Sequence, residues 1–149
     1  MRVRRRSATR PVAEVRRILV ATDRSASADL AVEWAAEMAS RYGAELLVLR
    51  VLGPDGPAVG SAEADLREHA AQVAGERGRA RVVADSDPSA AIVRAAEEEG
   101  VDVVVVGNVG MSGRREFLLG NVPNRVSHNA RCTVVIVNTV AAVEGGRRR

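Results

Sequence analysis

Three glycines carry the first chemical signal in this chain. Gly107, Gly110 and Gly120 follow the spacing Gly-x2-Gly-x9-Gly, and Asn121 and Val122 come directly after the last of them. Four valines at 103–106 precede the glycines, and a helical pattern over 121–130 follows. A buried strand, a glycine-punctuated loop and a helix start are the parts from which backbone N–H groups converge on an anion. The chemistry indicated is the binding of a phosphate-bearing ligand, a nucleotide above all. Ser112, Arg114 and Arg115 lie inside the loop, where a hydroxyl could donate to a phosphate and a guanidinium could clamp one. The spacing is neither the Gly-x-Gly-x-x-Gly of a dinucleotide fingerprint nor the Gly-Lys-Ser/Thr ending of a P-loop, and neither string occurs in the chain. The competing explanation for the glycines is a turn with positive φ and close helix packing.

A second polar element, Thr22-Asp23, follows the apolar residues 18–21. Asp23 could cap the helix that comes next, as Asp often does. It gains another meaning if its strand lies beside the strand at 103–106. The patterning makes that arrangement testable, because strand and helix signals alternate along the whole body, as in an α/β fold with a parallel sheet. Strands are expected over 18–21, 46–51, 80–84, 101–106 and 133–137. Helices are expected over 28–42, 62–74, 88–99 and 121–130, with helices on both faces of a Rossmann-like sheet. Gly43 and Gly100 close two of the helices. Asp87 and Pro88 open another, as cap and first-turn residue. The segment 53–60 reads as a flexible loop. With strand order 3-2-1-4-5, Asp23 and Gly107 border one crevice at the carboxyl ends of the strands, where the order reverses and ligands bind.

Composition sets the outer limits. The chain has 149 residues, 46% hydrophobic but only 2% aromatic, so one domain with an aliphatic core is expected. No apolar run reaches the ~18–20 residues of a membrane span, and no secretory signal pattern opens the chain. The single Cys132 excludes an internal disulfide framework. A soluble cytoplasmic protein is the expectation. All 22 basic residues are Arg. Seven of them fall in residues 1–17 against Glu14, and three in 141–149 against Glu144, which leaves 12 against 17 acids in the body. Residues 1–16 and 140–149 therefore read as disordered Arg-rich tails around a domain at 17–139. An acidic body without aromatic stacking residues argues against nucleic acid as a partner.

The Val20-Ala21-Thr22-Asp23 start, the Leu49-Arg50-Val51 strand end and the Gly107-x2-Gly110-x9-Gly120 loop resemble the universal stress protein family over roughly residues 17–139. The resemblance implies a five-stranded parallel sheet with four helices, a homodimer and, in the nucleotide-binding branch, an ATP site. It implies that Asp23 meets the ribose or adenine side and that Val51 offers backbone atoms to adenine. Val106 and Gly107 would lie along the nucleotide, and Gly110, Gly120 and Asn121 would meet the phosphates. With Ala21, Thr22, Ser112, Arg114 and Val122 these form the expected cofactor-binding set. A magnesium ion could accompany a triphosphate, held mostly by ligand and water.

Asn121 departs from the Ser or Thr usual there, although Asn also caps helices and donates hydrogen bonds. Arg50 stands where the family often has His. The Gly107-Asn-Val-Gly110 start and the Val122-Pro123 pair resemble the cyclic-AMP-binding branch instead. No general base with a positioned partner is evident, so a sensor is favoured over a slow ATPase or autophosphorylating enzyme. A scaffold that binds no nucleotide is the remaining alternative. The last strand, at a sheet edge, could pair with its twin in the dimer. Trp34, in a stripe with Leu30 and Met38, reads as core. His69 and His128 read as exposed, Cys132 as a buried or interface thiol, and Glu97 to Glu99 as a solvated face.

Overall fold

The computed structural model describes residues 14–108 and 121–139. Its elements are β1 (Arg17–Ala21), α1 (Ala26–Tyr42), β2 (Glu45–Leu52), α2 (Val59–Ala74), a 3-10 turn (Gly75–Arg77), β3 (Gly78–Ala84), α3 (Pro88–Glu99), β4 (Val103–Gly107), α4 (Val122–Asn129) and β5 (Thr133–Val137). All strand pairings are parallel, and the sheet runs β3-β2-β1-β4-β5. The expected order is therefore the observed one. Gly110, Ser112, Arg114, Arg115 and Gly120, and the two Arg-rich tails apart from residues 14–16, lie outside the described residues.

Strand side chains alternate between two cores because successive residues point to opposite faces. Ile18, Val20, Leu46, Val48, Val103 and Val105 face α1 and α2. Leu19, Ala21, Leu47, Leu49, Val104 and Val106 face α3 and α4. Because both faces are covered, the central strands read as continuous apolar runs.

Local signals place the helix ends. Ser25 caps α1 by accepting from the Ala28 N–H at 3.2 Å. Gly43 and Gly100 end α1 and α3 in the left-handed region, at φ 67° and 64°. There glycine meets no Cβ penalty. Asp87 caps α3 ahead of Pro88. The expectations that differ have identifiable causes. The fourth strand begins at Val103 rather than Val101, because the Val101 N–H still donates to Ala96 O and closes α3. The second helix starts earlier than its apolar spacing indicates, so α2 takes in Val59 and Gly60 from the expected loop.

Trp34 is not core. It is 41% exposed, and the buried face of α1 consists of Ala31, Val32, Ala35 and Ala39. Small residues let the helix lie close on a sheet already filled by Val, Leu and Ile. The bulky stripe of Leu30 and Trp34 is turned toward the β5 side, where it lines a groove with Val135, Ile136 and Val137. Glu97 and Glu98 are exposed, as expected, and all three acids also hold ion pairs across the surface. Glu98 and Glu99 receive Arg81 at 2.6 and 2.9 Å, Arg79 reaches Glu99 at 3.2 Å, and Glu97 lies 3.7 Å from Arg131. The Arg17 guanidinium donates to Glu99 O at 2.9 Å, a cation at the negative end of the helix.

Candidate functional site

The register brings three strand ends to one level. Ala21 pairs with Leu49 and Val20 with Val105, so Asp23, Val51 and Gly107 lie level at the carboxyl ends of the strands. The Thr22 N–H donates to Leu49 O at 2.9 Å and extends the β1–β2 ladder by one residue. β1 and β4 are direct neighbours, although β1 continues in sequence toward β2 and β3 on the other side. The reversal of strand order therefore falls between the Asp23 loop and the Gly107 loop, the crevice position of open α/β sheets.

The β1–α1 turn is built from its own side chains. Thr22, fully buried, accepts from the Arg24 N–H through Oγ1 at 2.9 Å. Asp23 Oδ1 accepts from the Ser25 N–H at 2.9 Å. Asp23 thus shapes the turn, while the helix cap falls to Ser25. The second Asp23 carboxylate oxygen makes no hydrogen bond among the described residues. Arg24 takes a left-handed conformation with φ 68° and sends its guanidinium to Asp29 and Asp65, at 3.0 and 3.5 Å. Ala21, Thr22 and Val106 are buried, so only their backbones can meet a ligand. Val51 is half-buried and packs with Val122 against the α3–α4 core.

Gly107 has a reason that is independent of any ligand. A Cβ there would lie 3.2 Å from Thr139 Cγ2. Thr139 is buried, and its N–H and hydroxyl donate to Asn108 Oδ1 at 3.0 and 3.3 Å. Asn108 Nδ2 reaches Asn138 at 3.2 Å, and the Asn108 N–H donates to Val137 O. The root of the glycine loop is therefore clamped to the end of β5. Composition and spacing contain no signal for this contact, since its partners are some thirty residues apart.

Asn121 stands at the start of α4 but does not cap it through its side chain. Its φ is 49°, left-handed, and no side-chain cap bond forms. Its carbonyl accepts from the Arg125 N–H at 2.9 Å, while its amide oxygen receives Asn124 Nδ2 at 3.3 Å. Asn tolerates the left-handed region far better than β-branched Thr. The local backbone is thus one that suits Asn. α4 is held to α3 by Arg125, whose guanidinium lies 3.3 Å from Asp87. The cap bond from Ala90, then Ser89 and Arg125, hold the Asp87 carboxyl below the usual carboxylate range. Neither this pairing nor the clamp on Thr139 was anticipated.

Of the other residues considered, His128 is exposed. Cys132 is partly buried against the α3–α4 core, and burial raises its thiol above the ordinary range, which keeps it in the less reactive protonated form. His69 is not exposed. Its side chain is 12% accessible and faces α1. Among the described residues no group of acidic, His or Cys side chains could hold a metal, and no helix is long and apolar enough to cross a membrane.

The comparisons with known proteins agree with this geometry. The model of the Universal stress protein family matches residues 14–138, so the chain belongs to that family. The universal stress protein YxiE of Bacillus subtilis (strain 168) is 39% identical over 72 residues, 47% of this chain and 49% of its own length. The chain thus spans about half the length of that curated relative. A solved universal stress protein in complex with cAMP is 33% identical, with TM-score 0.68, over 85% of this chain and 99% of that one. The universal stress protein UspA from Lactobacillus plantarum shares the fold, with TM-score 0.71 at 21% identity over 85% of this chain and 99% of that one.

Proposed function

We propose that this member of the universal stress protein family is a sensor that binds an adenine nucleotide at the carboxyl ends of β1 and β4. The observation that carries the reading is the adjacency of β1 and β4, which sets the Asp23 carboxylate and the Gly107 loop on either side of one switch point. Asp23 keeps an oxygen without a partner among the described residues, suited to accept from a ribose hydroxyl. Val51 offers backbone groups to adenine. The phosphates fall to the loop from Gly110 through Ser112 and Arg114 to Gly120 and to the start of α4 at Asn121. ATP is the ligand that the nucleotide-binding branch of the family implies, with magnesium carried by its phosphates and water. Among the described residues no paired acid and base accompany Asp23, and binding rather than turnover is the proposed output.

A second reading, cAMP in place of ATP, is favoured by the relative solved in complex with cAMP. Asn121 supports it, because an amide stands where a hydroxyl would meet a phosphate chain. The same sensor associates through β5, whose outer edge is unpaired among the described residues and lies beside the Trp34 groove.

Titration calorimetry with ATP, ADP and cAMP tests the site. Asp23→Ala removes a charge-assisted hydrogen bond worth about 1.5–3 kcal/mol, a loss of about tenfold or more in affinity. No heat with any of the three nucleotides would leave the family scaffold and sink the sensor. Phosphate release that disappears in Asp23→Ala would show that the site is an enzyme.

A further inference from the structure

Among the described residues, His69 Nε2 is the only buried side-chain polar atom without a hydrogen bond. Such orphaned groups are rare in folded proteins and call for an explanation. The groups around it come from three elements. Asp29 and Glu33 approach from α1, Arg24 from the β1–α1 turn, and Asp65 from the same helix as His69. The nearest is Asp29 Oδ1 at 3.8 Å, too far for a hydrogen bond. That same oxygen accepts from Arg24 Nη1 at 3.0 Å.

Arg24 is the second anomaly. It holds φ 68°, a left-handed conformation that a residue with a Cβ rarely adopts. Three contacts hold it there: the Thr22 Oγ1 bond to its N–H, Asp29, and Asp65 at 3.5 Å. Two of the three are ion pairs over His69, and Arg24 is the residue directly after Asp23. The strained turn that presents Asp23 is therefore tied down beside an imidazole whose Nε2 lacks a hydrogen bond.

We propose that His69 is an acid-operated release for the turn formed by residues 22–25: a proton on His69 draws Asp29 away from Arg24, and the turn that presents Asp23 loosens. The charge balance permits this exchange. With a neutral imidazole, Arg24 is the one cation among Asp29, Asp65 and Glu33 around His69. With an imidazolium, two cations contend for one Asp29 oxygen, and the carboxylates still compensate both. Burial first, and Arg24 next, hold the His69 pKa below 6.5, against the opposing pull of Asp29, Asp65 and Glu33. The folded state thus disfavours the charged ring. The stability it protects is complete above pH 6.5 and declines as pH falls below that value toward the folded pKa. The functional clause rests on the nucleotide reading above: a loosened turn gives up the ligand in acid.

The test follows the ligand-free protein by NMR from about pH 7.5 to about pH 5, the range in which histidine titrates. The backbone amides of Arg24 and Ser25 are expected to move with the His69 ring signal. In His69→Gln they hold still. In Arg24→Asn, which suits the left-handed backbone, the His69 ring still titrates but the turn no longer follows. That second variant decides the matter if His69→Gln fails to fold. Affinity for ATP or cAMP, measured across the same range, falls in the natural chain by up to about tenfold per pH unit below the His69 titration and stays flat in both variants. Turn amides that ignore His69 overturn the release, whatever the nucleotide does. A nucleotide bound equally well across the range overturns its link to binding. A turn that follows His69 while no nucleotide binds at any pH upholds the release and sinks the sensor.

Discussion

The two edges of the sheet are built in opposite ways. At one edge, β3 begins Gly78-Arg79-Ala80-Arg81, and both arginines reach out to acids. Arg81 grips Glu98 and Glu99, and Arg79 meets Glu99 and, at 3.8 Å, Glu45. At the other edge, β5 reads Thr-Val-Val-Ile-Val without a charge, and Ile136 is 43% exposed. Beside it lies a groove of about 540 Å³, lined by Leu30, Trp34 and the β5 residues, with Glu33 and Asn138 as its polar members. Charged side chains blunt an edge against strand pairing, and a bare apolar edge invites it. The β3 edge carries charges that oppose strand pairing, and the β5 edge carries none, as the proposed association through β5 requires. The difference teaches why Trp34, a poor fit for a thin aliphatic core, is carried on the surface: it widens the apolar area next to the open edge.

Three changes would break or sharpen this contrast. The largest effect is expected from Ile136→Lys, which places a charge on the open edge at a side chain that contributes nothing to either core. Central apolar contacts of an interface are worth ~2 kcal/mol or more, so dimerisation should weaken by about thirtyfold or more. Sedimentation velocity reads the shift to monomer while the melting temperature stays in place; an unchanged dimer would refute the assignment of β5. A smaller effect should come from the opposite edge. Arg79→Val with Arg81→Val removes its charges and leaves Glu98 and Glu99 unpaired. Light scattering should then detect new, salt-insensitive association through β3, together with a stability loss of about 1 kcal/mol for the partly exposed pairs. A monodisperse double variant would mean that charge does not guard this edge.

The smallest effect serves as the control that separates stability from association. Asp87→Ala removes the α3 cap, which contributes no residue to either edge strand, at a cost of about 1 kcal/mol. The folded-state pKa of Asp87 is depressed, chiefly by the Ala90 N–H. Its stabilisation is therefore present above the ordinary Asp pKa and is lost as pH falls through the lower folded value. Thermal melts of natural chain and variant should converge in acid, with the same oligomeric state at neutral pH. Melts that stay apart at every pH would remove the cap bond as the cause.

Much of this architecture is legible locally. Gly43 and Gly100 announce left-handed helix ends, Asp87-Pro88 announces a helix start, and the valine runs announce strands buried on both faces. Those signals act over a few residues, where backbone conformation and side-chain periodicity leave little choice. The crevice was legible too, because right-handed crossovers leave few orders for five parallel strands, and the order chosen puts Asp23 opposite Gly107.

The chain by itself thus determined the sequence of elements, their order in the sheet and, with it, the switch point between β1 and β4. Only the tertiary structure decided which way individual side chains face and whom they meet. Trp34 lies on an amphipathic helix in either view, but the close approach of Ala31 and Ala35 to the sheet turns it outward. His69 lies among polar neighbours in sequence, yet the packing of α2 on α1 buries it beside Asp29. Asn121 has the residue type of a cap, and the path of the chain into α4 puts it in the left-handed region instead. Gly107 looks like a ligand residue, and Thr139, thirty-two positions later, supplies a steric reason for it. Each of these outcomes depends on a neighbour distant in sequence, and a local pattern carries no record of which neighbour arrives.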